Sequence, residues 1–486
     1  MRAMRARDLH VTLEGQAPGP LYIQVAEAVA QAIREGRVGR GVALPGVREL
    51  ADRLGVHRNT TLAALRELEA QGWLEARPRA GFFVCERLPE PTTPRPGAGP
   101  SAQGVGFDLP KALQPLTDAK GLVYDVSDGV ADARLAPTDA LARAYQRALR
   151  LKGPQLLGGS DFKGVQRLRE VLVQLLSRQR SLRFHPDQLL VIRSTSMAVT
   201  LVGQALVGAE GGAVGVEDPG HPVVWDTLRQ ACNPTLHGIP VDAQGLVPDA
   251  LEALLAQTPL RLLVLTPQCH YPTGVSLTAE RRVRILELAR QHRFAILELD
   301  PEYDFLHGAI PPPLAAQDPT GQVLYVGSLS RTFGPGLRLG FLGVPAPLAD
   351  GLAKARQRLD WQGEPVLEWA ISELILDGDL ERHVRRMRHA AEERREALED
   401  ALRHGLQDRV RFTPGQGGMG VWLEAAGAHA AQPLMFDMWL RSCGLRGLKL
   451  RLGSHFTLDG RVLPATRFGY TAFTPEELQR AVAQMA

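Results

Sequence analysis

The chain has 486 residues, 44% hydrophobic and 22% charged, so it can bury a large core, and its length suggests roughly two to four domains. A net charge of +3 is too small for a general attraction to nucleic acid or membranes, so a charged partner must bind a local patch. No signal peptide or membrane span is predicted, and we expect a cytoplasmic protein without a membrane partner. Four scattered cysteines predict reduced thiols and no metal site: Cys85, Cys232, Cys269 and Cys443.

The N-terminal region predicts three helices followed by a hairpin. LYIQVAEAVAQAIREG has apolar residues at helical spacing and ends on Gly36, as a C-cap would. VRELADRLGV predicts a short second helix closed by Gly55, and HRNTTLAALRELEAQG predicts a third. WLEARPRAGFFV predicts two strands around an Arg-Pro-Arg-Ala-Gly turn. This order of elements is typical of a winged helix-turn-helix.

In a winged helix-turn-helix, the third helix enters the major groove of DNA by its first residues, and basic groups around it contact phosphates. Arg58 and Asn59 have side chains that can read base edges. The alternative is that these polar residues only cap and solvate a surface helix. The predicted DNA-binding residues are Arg48, His57, Arg58, Asn59, Thr60, Arg77 and Arg79.

Three short blocks in this region, LPGVREL, GVHRNT and RPRAGFFV, resemble the GntR family of bacterial transcription factors in both order and spacing. The resemblance implies that a double-stranded DNA operator is a partner of this protein. It favours DNA binding more strongly than the helix pattern alone, because short helix pairs separated by a glycine are common.

A linker is predicted after the small domain. Residues 88–106, LPEPTTPRPGAGPSAQGVG, are rich in proline, glycine, serine and threonine and have no hydrophobic period. We therefore predict a DNA-binding domain at residues 1–86, a flexible linker at 87–118 and a large domain at 119–486.

The large domain alternates apolar strands with amphipathic helices, which predicts an α/β fold with parallel strands and crossover helices. A helix is predicted from Ala279 to His292, with Thr278 as N-cap and Glu280 in its first turn. The strand FAILELD follows, and Asp300 is at its carboxyl end, where parallel sheets bind ligands.

The motifs on this scaffold resemble the MocR subgroup, in which a GntR-type winged helix is fused to a fold-type I aminotransferase-like domain. The matching blocks cover nearly the whole chain and keep the family order; they include VEDPGHPVVWDTLR, TPQCHYPTGVSLTAERR, VGSLSRTFGPGLRLGFLGVP and ATRFGYT. The resemblance implies pyridoxal phosphate as the cofactor. It also implies a head-to-tail homodimer in which each DNA-binding domain lies over the other subunit's large domain.

Several positions depart from the family pattern. Arg331 stands where the family has the lysine that forms a Schiff base with the cofactor, and a guanidinium cannot form one. Leu299 and Pro301 replace an acidic residue and a tyrosine that contact the cofactor ring. Ser194 replaces a glycine beside the phosphate, and Gly159 replaces a tyrosine that reaches across from the partner subunit.

Other positions keep the family pattern. Arg338 matches the phosphate-binding arginine, and Arg467 matches the arginine that binds a substrate carboxylate. For both, the alternative is a structural ion pair. For His221, which stands where an aromatic residue stacks on the ring, the alternative is simple packing. The predicted cofactor or effector site comprises Ser194, Thr195, Ser196, His221, Asp300, Tyr303, Ser328, Ser330, Arg331, Arg338 and Arg467.

We therefore predict a transcriptional regulator whose aminotransferase-like domain senses a small anionic effector and does not bind pyridoxal phosphate covalently. Two alternatives remain open at this stage. One is an active aminotransferase, although none of the six lysines lies in a matching motif. The other is a regulator that binds pyridoxal phosphate noncovalently. Binding of an effector would shift the arrangement of two winged helices, and hence operator affinity.

Overall fold

A computed structural model of the chain describes residues 20–78, 80–89, 124–413 and 415–486. These residues form two compact units, 20–89 and 124–486, and each is described separately. The predicted linker lies outside the described residues except for 87–89, and Arg79 also lies outside them. The predicted domain limits therefore stay predictions.

The first unit contains three helices and a two-stranded hairpin, which confirms the predicted winged helix-turn-helix. Gly55 ends the second helix in the left-handed conformation, at φ +65°, as the sequence predicted. Buried aliphatic side chains from all three helices form one core. The elements are α1 (Leu21–Arg34), α2 (Val47–Leu54), α3 (Arg58–Ala70), β1 (Leu74–Arg77) and β2 (Gly81–Val84).

The second unit is an α/β domain. Its helices are α4 (Thr138–Leu157), α5 (Gln166–Arg180), α6 (Thr195–Leu206), α7 (Pro222–Cys232), α8 (Pro248–Leu255), α9 (Ala279–His292), α10 (Leu314–Gln317), α11 (Ser330–Phe333), α12 (Ala346–Asp360), α13 (Pro365–Leu376), α14 (Asp379–Leu406), α15 (Gly427–Ala431), α16 (Pro433–Leu445) and α17 (Pro475–Ala483). The helix predicted at residues 279–292 is confirmed with both ends, but the side chain of Thr278 makes no capping hydrogen bond.

The strands of the second unit form one large sheet and two small ones. They are β3 (Tyr124–Asp125), β4 (Leu189–Ile192), β5 (Ala213–Asp218), β6 (Thr235–Asp242), β7 (Gly245–Leu246), β8 (Leu260–Leu265), β9 (Ala295–Asp300), β10 (Val323–Ser328), β11 (Gly340–Gly343), β12 (Val410–Arg411), β13 (Gly420–Ala425), β14 (Leu448–Lys449) and β15 (Ala465–Gly469). The large sheet has the order β4-β11-β10-β9-β8-β5-β6-β7, and the small ones are β12-β13-β15 and β14-β3.

The large sheet is mixed, so the prediction of parallel strands was only partly right. Strands β10, β9, β8, β5 and β6 are parallel, whereas β11 is antiparallel to both of its neighbours and β7 to β6. Because β4 and β10 both run opposite to β11, β4 has the direction of the parallel strands. The carboxyl ends of β4, β5, β8, β9 and β10 therefore meet at one edge of the sheet.

Side chains alternate along the central strand β9, and this alternation decides what reaches the sheet edge. Leu297 and Leu299 belong to the hydrophobic cluster that includes buried residues of α6 and α7. Ile296 packs on the other face of the sheet, with buried residues of α8 and α9. Asp300 also faces the side of Ile296. In the described part of the chain, no helix has both the length and the apolar composition needed to cross a membrane.

Candidate functional site

The predicted DNA-binding residues lie at one end of α3 and on the elements beside it. His57, Arg58 and Asn59 are exposed at the start of α3, and Thr60 is half-buried. The His57 imidazole accepts a hydrogen bond from the backbone N–H of Asn59 at 3.2 Å, so it also caps the helix. The structure therefore leaves the Arg58 and Asn59 side chains at the solvent-facing start of the predicted recognition helix.

Two of the predicted phosphate contacts lie outside α3. Arg48 is exposed in the first turn of α2, and Arg77 is exposed at the end of β1. The Arg77 guanidinium lies over the Phe83 ring, 4.4 Å from its centroid, and contacts Glu75 at 3.2 Å. Stacking on the second strand of the hairpin holds this cation at the base of the wing.

A cavity of about 340 Å³ lies at the carboxyl edge of the large sheet. It is within the size range of small-molecule sites. The loops after β4, β5, β8 and β9 contribute to it, together with the end of β10 and the loop that follows. Eight predicted site residues line this cavity: Ser194, Thr195, Ser196, His221, Ser328, Ser330, Arg331 and Arg338.

The amino end of α6 forms one side of the cavity. The Ser194 hydroxyl accepts a hydrogen bond from the backbone N–H of Met197 at 3.1 Å and so caps the helix. The backbone N–H groups of Thr195 and Ser196 precede the first hydrogen bond within the helix, as the first N–H groups of any helix do. A helix start with such N–H groups favours an anion.

Arg331 lies on the cavity wall in the short helix α11. Its guanidinium donates to the backbone carbonyl of Gly129 at 2.5 Å and lies 3.7 Å from the carboxylate of Asp128. The side chain is three-quarters buried. These contacts fix the guanidinium against the loop after β3, so part of its charge is already compensated.

Arg338 is an exposed side chain at the cavity, and its backbone is left-handed at φ +53°. Among the described residues, its guanidinium has no hydrogen bond or ion pair. Ser330, also in the cavity wall, both donates to and accepts from the backbone of Leu339, which fixes the loop that carries Arg338. The charge of Arg338 is therefore available to a ligand.

The inner end of the cavity contains a stacked pair of rings. His221 and Tyr271 have centroids 4.1 Å apart and an interplanar angle of 21°. Burial lowers the pKa of His221 to about 4, so the imidazole is neutral at pH 7. Burial also raises the pKa of Tyr271 to about 12. The His221 Nδ1 and the Tyr271 hydroxyl have no hydrogen-bond partner among the described residues.

Arg467 does not line the cavity, which corrects the expectation that it offers a free fork to a ligand carboxylate. It is completely buried, and its guanidinium binds Glu302 at 2.8 and 3.0 Å and the carbonyl of Pro272 at 2.9 Å. Glu302 also accepts from the backbone N–H of Met419 at 2.8 Å. Acceptors of the protein itself therefore occupy both terminal nitrogens of the guanidinium, the carboxylate of Glu302 at one and the carbonyl of Pro272 at the other.

Asp300 and Tyr303 also do not line the cavity, because they face away from it. Asp300 accepts from the Tyr325 hydroxyl at 2.5 Å, and Arg180 donates to the same hydroxyl at 2.6 Å. The Tyr303 hydroxyl donates to the carbonyl of Gln179. Burial raises the pKa of Asp300 to about 6. The alternation of β9 puts Leu299, and then Pro301, at the cavity instead.

The sequence prediction missed several residues that line the cavity. Asp128, Arg193, Cys269 and Glu302 are polar examples. Their sequence neighbourhood gives little indication of this, because each depends on the path of a loop after its strand. For Glu302, the alternation of β9 gives no signal, because continued past the strand it would put Glu302 on the side of Asp300, away from the cavity.

The residues present fit the phosphate of pyridoxal phosphate better than they fit its ring. Arg338 and the start of α6 can hold an anion, whereas apolar Leu299 and Pro301 stand where the family resemblance expects polar ring contacts. No lysine is among the described residues that line the cavity. Lys163 and Lys449 form ion pairs elsewhere, with Asp350 and Asp125.

Comparison with protein families gives two matches, one for each unit. Residues 21–84 match "Bacterial regulatory proteins, gntR family", and residues 128–485 match "Aminotransferase class I and II". Among solved structures, the chain is similar to the α-aminoadipate aminotransferase LysN of Thermus thermophilus. The TM-score is 0.68 and the sequence identity 26%, over 75% of this chain and 91% of LysN.

Relatives that contain both units are named as transcriptional regulators. The chain is 30% identical to TauR of Rhodobacter capsulatus, over 96% of each protein. It is 26% identical to the pyridoxine biosynthesis regulator PdxR of Corynebacterium glutamicum, over 99% of this chain and 98% of PdxR. The probable rhizopine catabolism regulator MocR of Rhizobium meliloti is 29% identical over 84% of this chain and 82% of MocR. The chain thus belongs to the MocR-type regulators of the GntR family, in which a winged helix-turn-helix precedes an aminotransferase-like domain.

Proposed function

We propose that this regulator binds a small anionic effector noncovalently in the cavity of its aminotransferase-like domain and does not catalyse transamination. The observation that supports this most directly is the guanidinium of Arg331 in the cavity wall, where the family resemblance expects a lysine amine. A guanidinium is always charged in proteins and is not a nucleophile, so it cannot bind an aldehyde as a Schiff base.

The pairing of Arg467 with Glu302 supports the same proposal. An aminotransferase must bind the carboxylate of its amino acid, and the family resemblance assigns that task to Arg467. Here both oxygens of Glu302 bind one terminal nitrogen of the guanidinium, the carbonyl of Pro272 binds the other, and burial keeps water and ligands away from them. In the part of the chain that the structure describes, each guanidinium at this end of the cavity already has an acidic partner, so an incoming carboxylate finds none free.

The anion is proposed to bind at the other end. Arg338 offers an unpaired guanidinium, the start of α6 offers the N–H groups of Thr195 and Ser196, and Ser328 adds a hydroxyl. Helix starts combined with an arginine are a common phosphate site in proteins. The effector is therefore expected to carry a phosphate or a similar anion.

We also propose that two copies of the chain form a head-to-tail dimer, as the family resemblance implies. Trp361 is 64% exposed and has a left-handed backbone at φ +49°, which is strained for a residue with a bulky side chain. Leu157 is 74% exposed. It lies close to Trp361, because Gly159, two residues after Leu157, is in contact with Gln362, the residue after Trp361. Large apolar side chains at such exposure fit a partner surface.

The absorption spectrum of the purified protein with added pyridoxal phosphate tests the noncovalent proposal. We expect the spectrum of the free cofactor, which gel filtration then removes, because Arg331 cannot form a Schiff base and no described lysine lines the cavity. An aminotransferase such as LysN, treated in parallel, is the positive control. An aldimine band that persists through gel filtration, with a peptide map that places the adduct at the cavity, contradicts the proposal and favours the enzyme alternative.

A further inference from the structure

The charge pattern of the cavity wall restricts the chemical nature of the ligand body. Glu302 pairs with Arg467, and Asp128 lies 3.7 Å from Arg331 and 4.0 Å from Arg467. Each ionised side chain at this end of the cavity therefore has an ion-pair partner. Among the described residues here, a positively charged ligand body meets no free carboxylate, and a second negative charge meets no free cation.

Arg193 does not change this balance. Its guanidinium faces Asp360 at 2.8 Å and Glu364 at 3.0 Å, both outside the cavity lining. Among the described lining residues, Arg338 is thus the ionised side chain without an ion-pair partner. The lining can therefore compensate the charge of a ligand at one end only, where Arg338 and the start of α6 are found.

Besides these paired charges, the wall beyond the anion end contains apolar side chains. Leu299 and Pro301 form one side, and Val130 and Val223 contribute carbon surface elsewhere. Burying an unpaired charge against such surface is costly, whereas burying an uncharged ring or short chain is favourable. The body of the ligand should therefore be uncharged.

Two polar atoms at the inner end have no hydrogen-bond partner among the described residues. The Tyr271 hydroxyl belongs to a side chain that is almost completely buried, and its neighbour His221 has an unpartnered Nδ1. A buried polar atom without a hydrogen bond is unfavourable, and a ligand hydroxyl or carbonyl can satisfy it. The inner end of the ligand should therefore carry such a group.

We propose that the cavity binds a small phosphate ester whose body is uncharged and carries a hydroxyl or carbonyl group directed at Tyr271. This inference rests on the proposed anion-binding function and adds the class of the ligand to it. A phosphate suits the anion end better than a single carboxylate, because N–H groups, hydroxyls and a guanidinium there can contact three oxygens.

The test compares two probes of similar size with the full-length protein by isothermal titration calorimetry. Glycerol 3-phosphate has an uncharged body with hydroxyls, whereas phosphoethanolamine has a cationic body. We expect glycerol 3-phosphate to bind at least about tenfold more tightly, because an ammonium group stays unpaired in this wall. Equal or tighter binding of phosphoethanolamine overturns the inference.

Substitutions at two positions test which residues determine the preference. Tyr271→Phe should weaken glycerol 3-phosphate about fivefold to tenfold while leaving inorganic phosphate unchanged, because only the ester reaches the inner end. Leu299→Asp should shift the preference toward phosphoethanolamine, and Leu299→Asn, which adds a polar group without charge, should not. An unchanged ratio of ester to inorganic phosphate in Tyr271→Phe contradicts the inference even if the Leu299 variants do not fold.

The outcomes also separate this inference from the function on which it rests. If both esters and inorganic phosphate bind the wild type and Arg338→Ala weakens all three, the anion site is present and the comparison of probes decides the inference. If none of the three binds, or if Arg338→Ala has no effect, the proposed anion site is itself wrong and the inference falls with it.

Discussion

At the scale of single residues, the pair of Arg467 and Glu302 best explains why the cavity differs from an amino acid site. Both side chains are almost completely buried, and each compensates the charge of the other. Removing one partner of such a pair leaves an uncompensated buried charge, which is far more unfavourable than losing both. The two residues must therefore be considered together.

Replacing Glu302 with alanine should lower the free energy of unfolding by about 3 to 5 kcal/mol, because Arg467 then remains buried without a counter-charge. Denaturant unfolding measures this loss. Glu476→Ala is the matched control, since Glu476 is an exposed acid on α17. Added acetate should partly restore the stability of the Glu302 variant and not affect the wild type; no restoration contradicts the idea that this fork can bind a carboxylate.

Glu217 should make the stability of the protein depend on pH. Burial raises its pKa from 4.5 to about 8, and the carboxyl group accepts hydrogen bonds from Thr266. The folded state therefore holds a proton that the unfolded state has released, so the contribution of Glu217 to stability is full below about pH 4.5 and decreases as the pH rises to about 8. Glu217→Gln should flatten this decrease in thermal unfolding experiments; an unchanged pH profile contradicts the assignment.

Individual site residues were predictable from the sequence only where a motif fixes their place in a loop. Ser194, His221, Arg331 and Arg338 belong to such motifs, and the structure puts them in one cavity. Glu302 was not predicted, because its position depends on the direction of the chain after β9. The alternation of that strand turns Asp300 away, and no local pattern shows which acid takes the place beside Arg467.

At the scale of secondary structure elements, α3 is expected to carry the sequence specificity of DNA binding. Arg58→Ala should weaken specific binding by about 1 to 3 kcal/mol if its guanidinium reads a base. Fluorescence anisotropy with a DNA fragment selected from a random pool measures this loss. Arg66→Ala is the control, because Arg66 is an exposed arginine two turns later on the same helix. Equal effects of the two substitutions indicate a general charge contribution only.

The helix α6 connects local stability with ligand binding. Ser194→Ala removes the hydroxyl that caps the helix, and we expect a loss of about 0.5 to 2 kcal/mol in the free energy of unfolding. Thr195→Ala, one residue later, lacks that hydrogen bond and should have a smaller effect. Equal losses for both variants, measured by denaturant unfolding, contradict the role of Ser194 as a cap.

Helices and strands were largely predictable from the sequence, because their limits depend on local signals. Gly55 ends α2 as predicted, and α9 has the predicted limits. The direction of β11 was not predictable, because only the chain path between β10 and β11 decides it. A short connection makes the two strands antiparallel, whereas a crossover helix would have made them parallel.

At the scale of the whole molecule, dimer formation is expected to use the surface around Trp361. Trp361→Asp should increase the fraction of monomer in sedimentation velocity experiments, because it replaces an exposed apolar ring with a charge. Leu445→Asp is the control, since Leu445 is 91% exposed at the end of α16. An unchanged monomer fraction contradicts this choice of interface.

The proposed function requires that an anion held noncovalently in the cavity controls DNA binding. The most direct test is the affinity of the full-length protein for its selected DNA fragment, with and without saturating glycerol 3-phosphate, in the wild type and in Arg338→Ala. We predict that the ligand changes the affinity of the wild type by about fivefold or more and leaves that of the variant unchanged. Equal DNA affinity of the wild type with and without the bound ligand would contradict the claim.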